Sequence, residues 1–253
     1  MTNPRLIEGI FNYCDRWCER CPFTRRCLTF AMEQEENRQQ GGPPADMDAF
    51  WKRFEASMEL TREMVESMVA ERDGGIDDAE MKQLERVERR RERRARNHPL
   101  AKAALAYTDM AEKWFAGNEG LLREREAEIL EQARLGLEKV KEEVASLTDI
   151  VEIIRWYQHQ IYVKLVRALD ADRDYEATSG FPKDSDGSAK VAFIGLDRSI
   201  AAWVRMKECF PEQTDDILTL LVHLDRLRRG AEAEFPAARA FVRPGFDTGD
   251  TPE

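Results

Sequence analysis

The chain has little of what most catalytic and membrane proteins rely on. In 253 residues there are three histidines, ten prolines and fourteen glycines. No histidine follows a glutamate at the Glu-x-x-His spacing, which removes the four-helix di-iron carboxylate pattern. There is no run of about 18 apolar residues, so no membrane span is expected. Strand alternation is absent and helical segments do not alternate with strands, which excludes β-sandwiches and β/α barrels. Positive charge is outweighed, with a net charge of −10, and this argues against a general nucleic-acid binder. The opening Met1-Thr-Asn-Pro-Arg-Leu-Ile-Glu-Gly-Ile10 has no secretory apolar core, so a soluble cytoplasmic protein is expected. Thiols stay reduced in that compartment.

What remains is helix-forming. Charged residues make up 35% and hydrophobic ones 42%, with Ala, Glu, Leu and Arg dominant. The patterning predicts an all-α antiparallel helical bundle in three parts. Residues 1–38 form a cysteine-rich metal-binding segment, with a short helix, a cysteine turn and a helix from about Thr24. Residues 39–233 form the bundle, and 234–253 an extended tail over it. Gln39–Asp46 is a linker by its Gly and Pro content. Helices are expected over 48–72, 77–96 and, from Pro99 with His98 as cap, to Gly117. Two more run over 119–147 and from Asp149 to Leu169, divided by an Asp149-x-x-Glu152 capping box. The second is apolar nearly all round and belongs at the centre of the bundle. A polar loop over 170–187 leads to helices over Ser188–Cys209 and from a Thr214 cap to Arg229.

Chemical specificity is concentrated in one place. Four of the five cysteines, Cys14, Cys18, Cys21 and Cys27, fall within fourteen residues as C-x3-C-x2-C-P-x4-C. On a helix the first three share one face, and Pro22 stops that helix at Cys21. Zinc holds four sulfurs about 3.8 Å apart, whereas seven helical residues rise about 10.5 Å. One zinc on Cys14 and Cys21 therefore requires unwinding, while a cubane cluster spreads its ligands further. A proline after one ligand also fits cluster-binding patterns. The reading favours a [4Fe–4S] cluster, with zinc as the alternative and a redox-active dithiol as a third possibility. The first three cysteines have radical-SAM spacing, but the chain has no barrel to go with it. Incidental buried thiols are the bland reading. Against it, Arg16, Arg20, Arg25 and Arg26 interleave the cysteines, a poor core but a favourable setting for thiolates. Cys209 stands alone and is read as structural.

Other constellations are weaker. Glu152, His159, Asp197 and His223 lie on apolar helices and make a candidate second metal site. Their bland reading is hydrogen-bonded pairing in or near the core. The arginine run Arg86–Arg96 is interleaved with glutamates and lacks aromatic residues, so it reads as a solvated helix face. Asp184-Ser-Asp-Gly187 begins like a calcium loop but has Gly195 where a bidentate Glu is required.

The segments Tyr13–Cys27, Glu152–Leu169 and Gly187–Trp203 resemble a group of uncharacterised bacterial all-helical proteins with this N-terminal cysteine motif. The resemblance implies no activity. The expected function is a redox or sensing role for an iron–sulfur helical protein. One alternative is a zinc-stabilised interaction protein; another is an oxidoreductase using the second site. The expected partner is a protein or an electron donor or acceptor, and homo-oligomerisation stays open.

Overall fold

The structure is a computed structural model that describes residues 6–42, 78–134, 138–171 and 183–249, with single positions at 51, 52, 55, 56, 58, 59, 62, 63, 67, 176 and 178. Among the described residues it is all-helical and has no strand. The helices are α1 Leu28–Gln39, α2 Asp78–Asn97, α3 Pro99–Gly117, α4 Glu119–Arg134, α5 Glu138–Asp170, α6 Asp184–Cys209 and α7 Thr214–Glu234. None of the described helices is long and apolar enough to cross a membrane. Two compact units are distinguished. One holds residues 1–11, 18–90 and 251–253; the other holds 12–17 and 91–250.

The described residues of the first unit are mostly surface. Residues 8–13 form turns, with Gly9 at φ 72°. Ile7 N donates to Arg26 O at 3.0 Å, closing the segment on itself. Among its described residues Ile10 and Phe23 are the buried apolar side chains. Helix α1 buries no residue and carries exposed pairs such as Arg38–Glu35. Most of the helix expected over 48–72 lies outside the described residues, as do residues 43–46 of the linker and the tip of the tail.

The second unit is built on α3, α5, α6 and α7. His98 caps α3, its Nδ1 accepting from Leu100 N at 3.3 Å, and Pro99 follows at the tolerated first position. Asn118 ends that helix, its Nδ2 donating to Trp114 O at 2.8 Å. Ala104, Tyr107, Ala111 and Trp114 recur at steps of three and four and are buried. On α5 the stripe is Ile150, Ile154, Tyr157, Ile161, Leu165 and Ala168, all buried.

Pairings between the helices fix their directions. Thr108 Oγ1 donates to Gln158 O, joining α3 to α5. Arg167 bonds Asp184 near one end of the α5–α6 pair, and Arg205 reaches Ser146 near the other. Arg228 on α7 faces Asp197 on α6, and His223 faces Ala103 on α3. Each helix thus runs antiparallel to its neighbours around a shared core, and α4 packs on α5. Gly195 lets α5 and α6 close up, since a Cβ there would meet Tyr157 at 3.0 Å and Ile161 at 3.2 Å.

Four boundaries of the bundle differ from expectation, the simplest being the end of α7 at Glu234 rather than Arg229. The helix break is not at Thr148; α4 ends at Arg134 and α5 already begins at Glu138. Asp149 and Glu152 therefore lie inside a helix rather than opening one, because the apolar stripe runs unbroken from Leu147 to Tyr157. Helix α6 starts at Asp184, four residues early, where Glu176 accepts from Ser185 N at 2.7 Å and satisfies its first turn. Thr214 is the first residue of α7 rather than its cap, and its hydroxyl donates to Pro211 O at 2.6 Å.

At the centre, Trp203 Nε1 donates to Tyr107 Oη at 3.0 Å. Burial pushes the Tyr107 phenol from its ordinary 10.0 up to about 12. Between those two values the unfolded chain is ionised at this residue while the folded chain stays neutral, so unfolding gains. Stability should hold below pH ~10 and fall by up to about 3 kcal/mol as pH rises to ~12. Urea midpoints at pH 9 and pH 11 measure this, and Tyr107→Phe should flatten the slope.

Candidate metal centre

The cysteine segment is not the regular helix that the spacing predicts. Cys18–Arg20 and Thr24–Arg26 are single 3₁₀ turns, and the α-helix begins only at Leu28. Two local features explain this. Asp15 Oδ1 accepts from Trp17 N at 3.2 Å, an Asx turn that competes with helix. Arg16 sits at φ 59°, the left-handed region, and is the lone non-glycine there among the described residues. Pro22 then limits Cys21, as expected. The argument from helical rise therefore does not apply to Cys14 and Cys21.

Cys18, Cys21 and Cys27 belong to the first unit. Cys21 N donates to Cys18 O at 3.2 Å, closing the C-x2-C turn. Cys27 N donates to Thr24 O at 3.2 Å, and Cys27 O accepts from Ala31 N at 3.1 Å, so Cys27 sits at the mouth of α1. Each of the three is half-buried and carries a thiol. Arg25 is exposed on the intervening turn.

Cys14 belongs to the second unit, where residues 12–17 form a strap on α5 and α6. Asp15 is its anchor. Asp15 O accepts from Trp156 Nε1 and from Gln160 Nε2, both at 3.1 Å. Asp15 Oδ2 accepts from Tyr157 Oη at 2.5 Å and from Arg198 Nη1 at 3.1 Å. Arg198 also bonds Tyr157 Oη and lies over its ring at 5.5 Å. Burial first, then the Asp15 carboxylate, holds the Tyr157 phenol well above the usual tyrosine range.

Aromatic rings hold either side of this anchor. Trp17 stacks on Trp156 with centroids 5.0 Å apart. Tyr13 meets Phe241 edge-on at 4.7 Å. Arg167 donates to Asn12 O at 3.4 Å and pairs with Asp184.

Lys164 lies on the same side of α5. It is 7% exposed, and burial pulls its ammonium below the usual lysine range. The charge on Cys14 opposes that pull most strongly, and Asp15 adds to it; Arg167 and Arg16 act the other way.

The four residues of the expected second site have separate partners. Glu152 lines a cleft of about 390 Å³ between α4 and α5, over Leu122, Ile129, Leu147 and Val151. His159 is exposed, 3.7 Å from Glu112. Asp197 takes Arg239 at 2.5 Å and faces Arg228. His223 Nε2 lies 2.8 Å from Ala103 O. The neighbouring Arg198 does not serve Asp197 but turns to Asp15. Among the described residues no group of three or more His, Cys, Asp or Glu is gathered around a common point.

Sequence reading missed Asp15, Tyr157, Lys164 and Arg198. One signal was available: Lys164 interrupts Ile161-Tyr-Val-Lys-Leu-Val166, the most apolar helix, and a buried lysine needs a partner. Along the arginine run, Arg89 pairs with Glu85 at 2.5 Å and Arg96 with Glu92 at 2.6 Å.

No family model, curated protein or solved structure matches the chain.

Proposed function

We propose that Cys14, Cys18, Cys21 and Cys27 hold a metal centre, a [4Fe–4S] cluster in a redox or sensing role. The observation that carries the reading is the density of thiols: four half-buried cysteines within fourteen residues, on turns rather than a rigid α-helix. Turn backbone can rearrange around an inorganic centre at little cost, unlike a helix, whose hydrogen bonds would have to break. The interleaved arginines favour thiolate ligands. When bound, a cluster supplies one-electron chemistry at a potential set by charge, hydrogen bonding and exposure. The chain's own part is to supply the four sulfurs and the surrounding positive charge, and to hold Cys14 on the helical unit through the Asp15 anchor.

A second reading, zinc that stabilises an interaction module, draws on the Cys18–Cys21 turn. A C-x2-C turn closed by a backbone hydrogen bond is the kind of unit that structural zinc sites use in pairs. The carboxylate–histidine site is not part of either reading, since Asp197 and His223 serve as fastenings for the tail and for α3.

Anaerobic purification followed by elemental analysis tests the proposal. The expected protein is brown, absorbs near the blue–violet boundary, and loses iron and sulfide in each of Cys14→Ser, Cys18→Ser, Cys21→Ser and Cys27→Ser. Colourless protein with stoichiometric zinc would transfer the assignment to the second reading. Metal retained after all four substitutions, or none bound by the native chain, would reject both.

A further inference from the structure

The strap is held as a bound peptide is held. Of residues 1–90, only 12–17 belong to the helical unit. Tyr13, Asp15 and Trp17 are each met by a different feature of α5 and α6. They stand at alternate positions, the spacing at which an extended ligand presents one side. Tyr13 fills a notch that Gly187 leaves open, since a Cβ there would fall on its ring. Four donors converge on Asp15. Trp156 Nε1 and Gln160 Nε2 take its carbonyl, and Tyr157 Oη and Arg198 Nη1 take its carboxylate. Trp17 is buried and stacks on Trp156. A guanidinium directed at the middle residue makes this face selective for an acid, through a charge-assisted hydrogen bond.

Two further observations mark the strap as replaceable. The helices beneath it have fastenings of their own. They close on each other at Gly195, Arg167 pairs with Asp184 near one end, and Arg205 bonds Ser146 near the other. The strap itself is strained. Arg16, between the Asp15 and Trp17 anchors, is held at φ 59°. That left-handed backbone costs a non-glycine residue about 1–2 kcal/mol. A separate segment with glycine at this position would make the same contacts without that strain.

We propose that the face of α5 and α6 carrying Trp156, Tyr157, Gln160, Gly187 and Arg198 is a peptide-recognition site, and that the strap is its tethered stand-in. The occupant is an extended segment of a partner protein, with an aromatic residue, an acidic residue and a tryptophan at alternate positions. A seated strap closes the site. Its tether gives it the advantage until the partner segment is abundant. The inference does not depend on the reading of the cysteines.

The test uses the full chain and a fluorescent peptide, Tyr-Ser-Asp-Gly-Trp, with both ends blocked. Asp15→Ala combined with Trp17→Ala releases the strap, and circular dichroism checks that this chain is folded. Fluorescence anisotropy should show saturable binding to the released chain and weaker binding to the native one, where the strap competes. Replacing the peptide's Asp by Asn, or adding Arg198→Met to the released chain, should each weaken binding about tenfold or more. Arginine in place of the peptide's glycine should weaken it severalfold. A second arm needs no variant. The unlabelled peptide has no tryptic site, and in excess it should speed trypsin cleavage of the native chain after Arg16, read by mass spectrometry. No binding to a folded released chain, or unchanged cleavage of the native one, would overturn the proposal. Equal binding of the Asp and Asn peptides would overturn it as well, because the site would then not read the carboxylate. Equal affinity for native and released chains would place the peptide elsewhere. Native dimers that the peptide splits, seen by sedimentation, would give the site to the strap of a second copy and overturn its assignment to a different protein.

Discussion

Trp203→Ala is expected to cost the helical unit about 3–5 kcal/mol, the range for deleting a large buried aromatic. Trp203 is fully buried, where α6 faces α3. Its ring meets Trp114 edge-on at 5.1 Å and Phe115 at 5.9 Å. Its Nε1 is the donor to Tyr107 Oη, so the substitution also strips a buried hydroxyl of a partner. Domain stabilities are typically ~5–15 kcal/mol, so the variant should lose a large part of the whole. Chemical unfolding at pH 7 by circular dichroism gives the measurement. Trp203→Phe should lose less, since it keeps an aromatic ring in the slot and gives up the donor. A Trp203→Ala midpoint within about 1 kcal/mol of native would show that these rings do not form the centre of the packing.

Much of this core was readable in advance, and the reason is local. Tyr107, Ala111 and Trp114 recur at helical spacing, and His98-Pro99 and Asn118 bound their helix by hydrogen bonds that reach no further than four residues. The misplaced boundary has an equally local cause. Asp149 and Glu152 have capping-box spacing, but the stripe Leu147, Ile150, Ile154 continues through them. Burying three apolar side chains, each worth about 1.5–3 kcal/mol, outweighs a cap worth ~1 kcal/mol. The cysteine segment misled differently. Spacing of 14, 18 and 21 matches a helical face, yet there is no apolar stripe to hold such a face against a core. The Asx turn at Asp15, the anchoring of that residue to α5 and α6, and the left-handed Arg16 decide the backbone instead.

The strap was not legible at all. Its anchor joins Asp15 to Tyr157 across 142 positions, and Arg198 across 183. No periodicity reports a contact of that separation. The same applies to the partners of Asp197 and His223. Their placement on apolar helices suggested inward-facing ligands, but an arginine from the tail and a carbonyl from α3 take them instead.

Gly187→Val should release the strap from α6. Valine at an ordinary helical position is only modestly worse than alanine, and replacing glycine usually helps a helix. At Gly187 the sign reverses. A Cβ there would fall on the edge of the Tyr13 ring and lie 2.8 Å from Phe241 Cζ. Neither ring is at liberty to give way, since Tyr13 packs edge-on against Phe241 and is partly enclosed beside the Asp184 carboxylate. Burial, then the Asp184 carboxylate, already holds that phenol above its ordinary range, as expected of a ring enclosed at this spot. The extra volume is relieved by eviction of Tyr13, at about 2–3 kcal/mol for an overpacked site. Gly120→Ala is the matched control: nothing lies within 4 Å of its Cβ position on α4, so it should stabilise by up to about 1 kcal/mol. Limited chymotrypsin digestion reads the strap directly, because cleavage after Tyr13 requires that ring to leave Gly187. The Gly187→Val chain should be cut there at least tenfold faster than native, the factor that corresponds to 1.4 kcal/mol in the opening equilibrium. Asp15 and Trp17 keep their own contacts in this variant, so the helices should remain intact by circular dichroism. Equal cleavage rates in the two chains would mean that Tyr13 is not seated on Gly187.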